Sequence, residues 1–265
     1  MASKHYDRGN LYSLLGENEK ALLDLNNSLR LDSNFIDSLK CRSHIFWKTK
    51  QFEKAKSDFN KIIELDPKYW KAYRRRGKIK FLFYNLFNSI HHLSQKGEIL
   101  SNERNYSGCI KDFDVFLQEY TTSIEVYQLR AIALIKEKRY KDALEDFNTI
   151  LRLKPGHPIS LKGRCNVYYE MQEWEKLIEE ISLLLEDKKE KNKFNSPIFS
   201  KNISSSLQIK LSNDEKSKLL RQRAQAYITL QDYRNALEDL ELLLQIDPTN
   251  KYANSWIENI RGNIN

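Results

Sequence analysis

Between Leu39 and Pro67 the apolar positions form two helical runs separated by the polar turn Thr49–Gln51. Leu39, Arg42, Ser43 and Phe46 stand at i, i+3, i+4 and i+7, which is one face of a helix. Phe52, Ala55, Phe59 and Ile62 repeat the spacing, and Leu65-Asp66-Pro67 ends it because proline cannot continue a helix. Ser43 and Ala55 are small enough for the two backbones to approach. The stretch predicts a helical hairpin.

The hairpin recurs. An earlier copy carries Gly9, Tyr12, Gly16, Ala21 and Leu25. A later one begins with Trp70, Tyr73 and Gly77 and resumes at Tyr106, Cys109 and Phe113. Tyr127, Ala131, Leu134, Tyr140, Ala143, Phe147 and Pro155 make the next. Leu161, Cys165, Tyr168, Trp174, Leu177 and Ile181 follow, and Leu220, Ala224, Tyr227, Tyr233, Ala236, Leu240 and Pro248 close the series. The spacing resembles the tetratricopeptide (TPR) repeat, with its period of about 34 residues. The resemblance implies an all-α, right-handed solenoid of about six hairpins in one array over 1–265. The copies fall at 2–35, 36–69, 70–120, 124–157, 158–187 and 217–250. An insertion at 87–105 interrupts the third, where Ile79, Leu82, Phe83, Leu86, Ile90 and Leu93 keep helical spacing toward Gly97. Residues 188–213 read as a mobile, lysine-rich loop. Residues 251–262, with Tyr252, Trp256, Ile257 and Ile260 on one side, read as a capping helix.

A second period runs through the polar residues. The seventh position of every copy is arginine: Arg8, Arg42, Arg76, Arg130, Arg164 and Arg223. Each is followed in its second helix by an acid: Asp24, Asp58, Asp112, Asp146, Glu180 and Asp239. Both positions flank apolar faces, so each arginine is placed to bridge its hairpin, and the planar guanidinium suits a carboxylate. These six pairs are read as structural rather than as a comb for ligands.

Net charge is +8, which raises nucleic acid as a partner. Lys188–Lys210, however, holds six lysines against Glu190 alone, so most of the excess sits in one loop and nucleic acid is not favoured. No apolar run reaches the ~18–20 residues of a membrane span, and no signal-peptide pattern opens the chain. Cys41, Cys109 and Cys165 lack metal spacing. The five histidines have no acid or nucleophile at useful spacing, and no phosphate loop, nucleophile elbow or His-Glu-x-x-His pair occurs. The expectation is a non-enzymatic, cofactor-free protein of the cytoplasm, with the nucleus left open.

In the TPR family, stacked first helices line a groove. Resemblance places Asn10, Lys40, His44, Trp47, Lys48, Lys71, Arg74, Arg75, Lys78, Leu129 and Ile132 there. Cations interleaved with rings suit an extended acidic peptide, with an apolar side chain taken up at Leu129 and Ile132. The implied role is an interaction scaffold or adaptor. A second reading is a co-chaperone that grips chaperone tails through a two-carboxylate clamp. Asn10, Lys71 and Arg75 match three of its five positions, whereas Tyr6 and Cys41 replace a lysine and an asparagine. A third is an RNA-binding helical repeat.

Overall fold

The computed structural model describes the backbone of residues 1–91, 106–185 and 211–264, and their side chains except those of 83–91, 263 and 264. All thirteen elements among the described residues are α-helices. They fall into two compact units, 1–139 and 140–265. The first contains α1 (Ala2–Leu14), α2 (Asn18–Leu31), α3 (Ile36–Lys48), α4 (Phe52–Leu65), α5 (Trp70–His91), α6 (Ser107–Glu119) and α7 (Ile124–Lys136). The second contains α8 (Tyr140–Leu153), α9 (Pro158–Glu170), α10 (Trp174–Leu184), α11 (Asn213–Thr229), α12 (Tyr233–Ile246) and α13 (Lys251–Ile264). Within each unit, neighbouring helices in sequence are neighbours in space.

The hairpins close by one local device. Where Gln51 N–H reaches Phe46 C=O (2.8 Å) and Lys50 N–H reaches Trp47 C=O (3.1 Å), α3 ends in a paired, backbone-satisfied turn. The same two bonds recur after α1, α7, α9 and α11. The turn needs a left-handed residue, and its occupants are Gly16, Lys50, Lys138, Gln172 and Gln231, all at positive φ. Only the first is glycine, so four side chains accept a backbone that costs about 1–2 kcal/mol. All four are exposed and escape further crowding. At the other end of the hairpin, Asp32, Asp66 and Asp247 each accept from the N–H two residues on, which fixes the return turn.

Burial follows the repeat. Leu39, Phe46, Ala55, Phe59, Ile62, Ala72 and Ile79 share one core cluster in the first unit. Leu177, Ile181, Ala224, Leu240, Ala253, Ile257 and Ile260 share one in the second, so α13 covers its apolar side against α12. Closest approach falls at glycines. A Cβ on Gly77 would lie 2.7 Å from the Phe113 ring, and one on Gly163 only 2.4 Å from the buried Phe147 ring.

Two boundaries differ from the sequence reading, the start of α11 and the end of α13, while the long first helix of the third copy runs on as its spacing suggests. The insertion in the third copy begins as a continuous helix: α5 runs 22 residues, to His91. Leu93, Gly97 and the rest of 92–105 lie outside the described residues. Helix α11 starts at Asn213, ahead of 217, because Ser212 and Glu215 form a reciprocal capping box. The lysine-rich segment 186–210 lies outside the described residues. The last helix continues past 262 to Ile264.

The Gly163 contact gives a direct test. Gly163→Ala drives a methyl into a packed ring and lowers unfolding free energy by about 1–3 kcal/mol, measured by urea denaturation. Adding Phe147→Leu recovers part of that loss.

Candidate peptide-binding face

Five of the six arginines also bond to the preceding hairpin. Arg42 donates from Nε and Nη2 to the two oxygens of Asp58, at 2.9 and 2.6 Å. Its third nitrogen, Nη1, donates backward to Asn26 in the preceding hairpin at 2.8 Å. Arg76 does the same with Asp112 (3.0 and 2.6 Å) and Asn60 (2.9 Å). Arg164 bonds both oxygens of Glu180 and reaches back to Asn148 at 2.8 Å. Arg223 holds Asp239 at 2.9 and 2.6 Å and Ser182 at 2.8 Å. In the first unit Arg130 reaches back to Asp114 at 2.7 Å; its sequence partner Asp146 is a buried residue of the second unit. The backward contacts escaped the sequence reading. Their signal is the polar residue two places after each acid: Asn26, Asn60, Asp114, Asn148 and Ser182.

Arg8 heads the series, holding Asp24 through Nε and Nη2 at 2.7 and 2.6 Å. That contact keeps the Asp24 carboxyl below the usual carboxylate range. Exposure of the arginine side chain falls from 61% at Arg8 to 4% at Arg164 and Arg223. Burial pushes Glu180 upward against the pull of Arg164, the expected conflict for a charge pair taken out of water.

The face of the first helices carries the candidate binding residues. Arg75 on α5 lies over the Trp47 ring of α3, 4.7 Å from its centroid, within cation–π range. His44 and Lys48 of α3 share this neighbourhood. Burial, then Arg75 and then Lys48, hold the His44 imidazole below its ordinary value. Lys71 stands 5.4 Å from the Trp70 ring. On α1, Asn10 accepts a weak bond from the Cys41 thiol at 3.8 Å, which leaves its NH2 group to donate. Leu129 and Ile132 are half-buried on α7.

The structure redistributes three members of the set. Lys40 sits 4.5 Å over the Tyr69 ring and 3.8 Å from Asp37. Lys78 is ion-paired with Glu125. Arg74 turns toward Trp70 and Phe116, its Nε buried. The face therefore contains its own acids, Asp37 and Glu125, each the second residue of a first helix. What stays cationic is a cluster of Arg75, Lys71, Lys48 and the titratable His44. Among the described residues, the first three make no ion pair. A cleft of about 400 Å³ lies elsewhere, around Arg30, Arg42 and Lys61. Of the thiols, burial pushes Cys109 up to about 12 and Cys165 higher than its usual range, so neither is a reactive thiolate near neutrality.

Comparison with known proteins supports this architecture. The tetratricopeptide repeat model matches residues 42–69, 124–157 and 218–250. The C-terminal part of a TPR repeat-containing protein from Cytophaga hutchinsonii superposes with a TM-score of 0.58 at 19% identity, covering 96% of this chain and 87% of that one. A MamA crystal structure gives 0.55 at 15% identity, covering 74% and 96%. In sequence, DnaJ homolog subfamily C member 3 of Gallus gallus is 22% identical over 67% of this chain and 34% of the relative. A DnaJ homolog subfamily C member 7 homolog of Schizosaccharomyces pombe is 22% identical over 68% and 37%. The chain thus spans about a third of the length of these curated relatives. Residues 42–69, 124–157 and 218–250 are thus tetratricopeptide repeats, and the chain shares the all-α fold of these structural neighbours. No helix among the described residues is long and apolar enough to cross a membrane.

The arginine contacts carry a graded prediction. Arg223→Ala strands a buried carboxylate and costs about 3–5 kcal/mol of stability in denaturant titration. Arg8→Ala, at the exposed end, costs a small fraction of that.

Proposed function

We propose that the first-helix face of the first unit binds an extended acidic peptide segment, with Arg75 and Lys71 as its principal cations. The observation that carries this reading is the contrast between two sets of arginines. Those of the seventh position are matched by acids of the chain itself, whereas Arg75 is seated on an aromatic ring with lysines and a histidine around it. Cations gathered without an ion pair of their own, with Glu125 the acid whose charge reaches Arg75, stand in a raised potential that an anionic segment relieves. Trp47 offers an aromatic anchor beside them, and Leu129 and Ile132 an apolar seat for a neighbouring side chain.

The similarity to DnaJ subfamily C proteins favours one form of this ligand, a chaperone tail ending in a free carboxylate. Asn10, Lys71 and Arg75 are three of the five groups that such a clamp uses. Cys41, in place of an amide, spends its weak S–H donor on Asn10. A full grip on two carboxylates is therefore weakened, and an internal acidic segment fits the remaining cations equally well.

The test is calorimetric titration of an acidic peptide, with a free or amidated C-terminus, against wild type and Lys71→Glu/Arg75→Glu. The charge reversals weaken binding at least tenfold, and a free carboxylate adds affinity only under the tail-binding form. An unaltered affinity in the double variant overturns the reading. Single-stranded RNA bound in preference, with a steep salt dependence, points to the nucleic-acid alternative.

The same site predicts a pH dependence. A bound carboxylate raises the His44 pKa from its lowered value, so the complex holds more protons than the free protein. Affinity therefore rises as pH falls from 8 toward 6, and His44→Gln abolishes that slope.

A further inference from the structure

In every first helix after α1 the tenth position of the copy is buried, and where core clusters show its neighbours it packs on the preceding second helix. Ile45 shares a core with Ala21 and Leu25, Ile79 with Ala55 and Phe59, and Ala226 with Leu177 and Ile181. Ala133 and Val167, the corresponding residues of α7 and α9, are fully buried as well. In α1 the tenth-position residue is Leu11, and it is 60% exposed. Leu14 and Leu15, on the same side of the helix, are exposed at 76% and 72%. Three exposed leucines on one helix face form an apolar stripe of the kind that marks an interaction surface.

The chain itself specifies the chemistry that fits this stripe. In four of the five internal junctions the covering helix presents a small residue, a large apolar residue four places on, and an oxygen-bearing side chain directly after it; α10 has Leu177 at the small position. Ala21-x3-Leu25-Asn26 and Ala55-x3-Phe59-Asn60 are two examples, and Asn26 and Asn60 receive the Nη1 donors of Arg42 and Arg76. Arg8 uses only Nε and Nη2 on Asp24, and stands exposed beside Leu11. One difference alters the specification. The third position of later copies is small or apolar and buried, as Ser38, Ala72, Val126, Ser160 and Leu219. In α1 it is the exposed Lys4. The residue it would meet lies seven places after the small one, where Ser28 hydrogen-bonds Ser38 at 2.7 Å in the next junction.

We propose that the α1 face docks an amphipathic helix of pattern small-x3-apolar-(Asn/Asp)-x-(Asp/Glu). The apolar pair covers Leu11 and its neighbours, the amide or carboxylate takes the third donor of Arg8, and the terminal acid pairs with Lys4. This surface is distinct from the first-helix face around Arg75. Another copy's α13 does not fit, because its exposed residues are polar: Lys251, Asn254, Ser255, Glu258, Asn259 and Arg261.

The probe is a peptide copying residues 51–65 of this chain with Ile62→Glu, held helical by a side-chain lactam because a free helix of that length is marginal. Titrated into the whole chain by fluorescence anisotropy, it binds. Leu11→Asp in the protein and Asn60→Leu in the peptide each weaken it at least tenfold. Lys4→Glu reverses the preference for the Ile62→Glu peptide over its parent. Arg75→Glu leaves this binding unchanged, so its outcome is separable from that of the acidic-peptide site. Circular dichroism shows that Leu11→Asp, an exposed substitution, keeps its helices. Absence of binding, or equal binding to Leu11→Asp, overturns the proposal. So does a dimer in gel filtration that Leu11→Asp converts to monomer, which assigns the stripe to a second copy.

Discussion

One guanidinium with three directed donors does most to fix how each hairpin meets the next. Two nitrogens lock the acid of its own second helix, and the third takes an oxygen from the hairpin before it, as Arg42 does with Asp58 and Asn26. Apolar packing alone tolerates sliding, since Leu, Ile and Phe surfaces are attractive over a range of registers. A planar fork with bidentate geometry does not. The net energy of such a pair is small because burying both charges is costly. Its value lies in the penalty for any arrangement that leaves the carboxylate of Asp58 or Asp239 unmatched in an apolar layer. Lysine in the same place would supply charge without the fork, and the backward bond would be lost.

This division between adhesion and register also explains what could be read from the chain. The spacing of Leu39, Phe46, Phe59 and Ile62 exposed the hairpin, because helical periodicity is a property of local sequence. Arginine and acid could be paired on paper because they recur at the same repeat positions, sixteen residues apart except across the insertion between Arg76 and Asp112, and have opposite charge. The contact from Arg76 to Asn60 was equally periodic, but asparagine carries no charge to announce its partner. The start of α11 was missed for a different reason. Ser212 and Glu215 cap it, and that short signal was submerged in a polar, lysine-rich approach.

The candidate face was legible by position and less so by charge. Counting cations along the first helices identified Lys40, Lys78 and Arg75 alike, yet they differ in their surroundings. Asp37 and Glu125 occupy the second position of α3 and α7; Asp37 precedes Lys40 by three residues, and Glu125 belongs to a different hairpin from Lys78. Arg74 and Arg75 are adjacent in sequence, but 100° of helical turn sends one to Phe116 and the other to Trp47. A surface that looked uniformly basic is thus a small cationic focus set among satisfied pairs. Under the proposed acidic-peptide reading, such focusing favours specificity, since acids placed near Arg75 and Lys71 gain more than acids elsewhere along the helices.

The same reasoning connects α1 and α13 to the interior of their own units. In a one-dimensional stack every hairpin offers two faces, and its chemistry must satisfy both neighbours. At the second unit's last hairpin this demand is met by α13, which buries Ile257 and Ile260 and turns polar residues outward. At α1 the interior chemistry persists in Leu11 and Arg8, while Lys4 departs from the uncharged, buried residue found at the third position of every later copy. A lysine there disfavours a plain repeat as its neighbour: the charged head must either leave water without a partner or find an acid. The substitution therefore narrows the set of helices that the face accepts. A generic stacking surface becomes a selective one through a single cation at the position where all other copies are neutral.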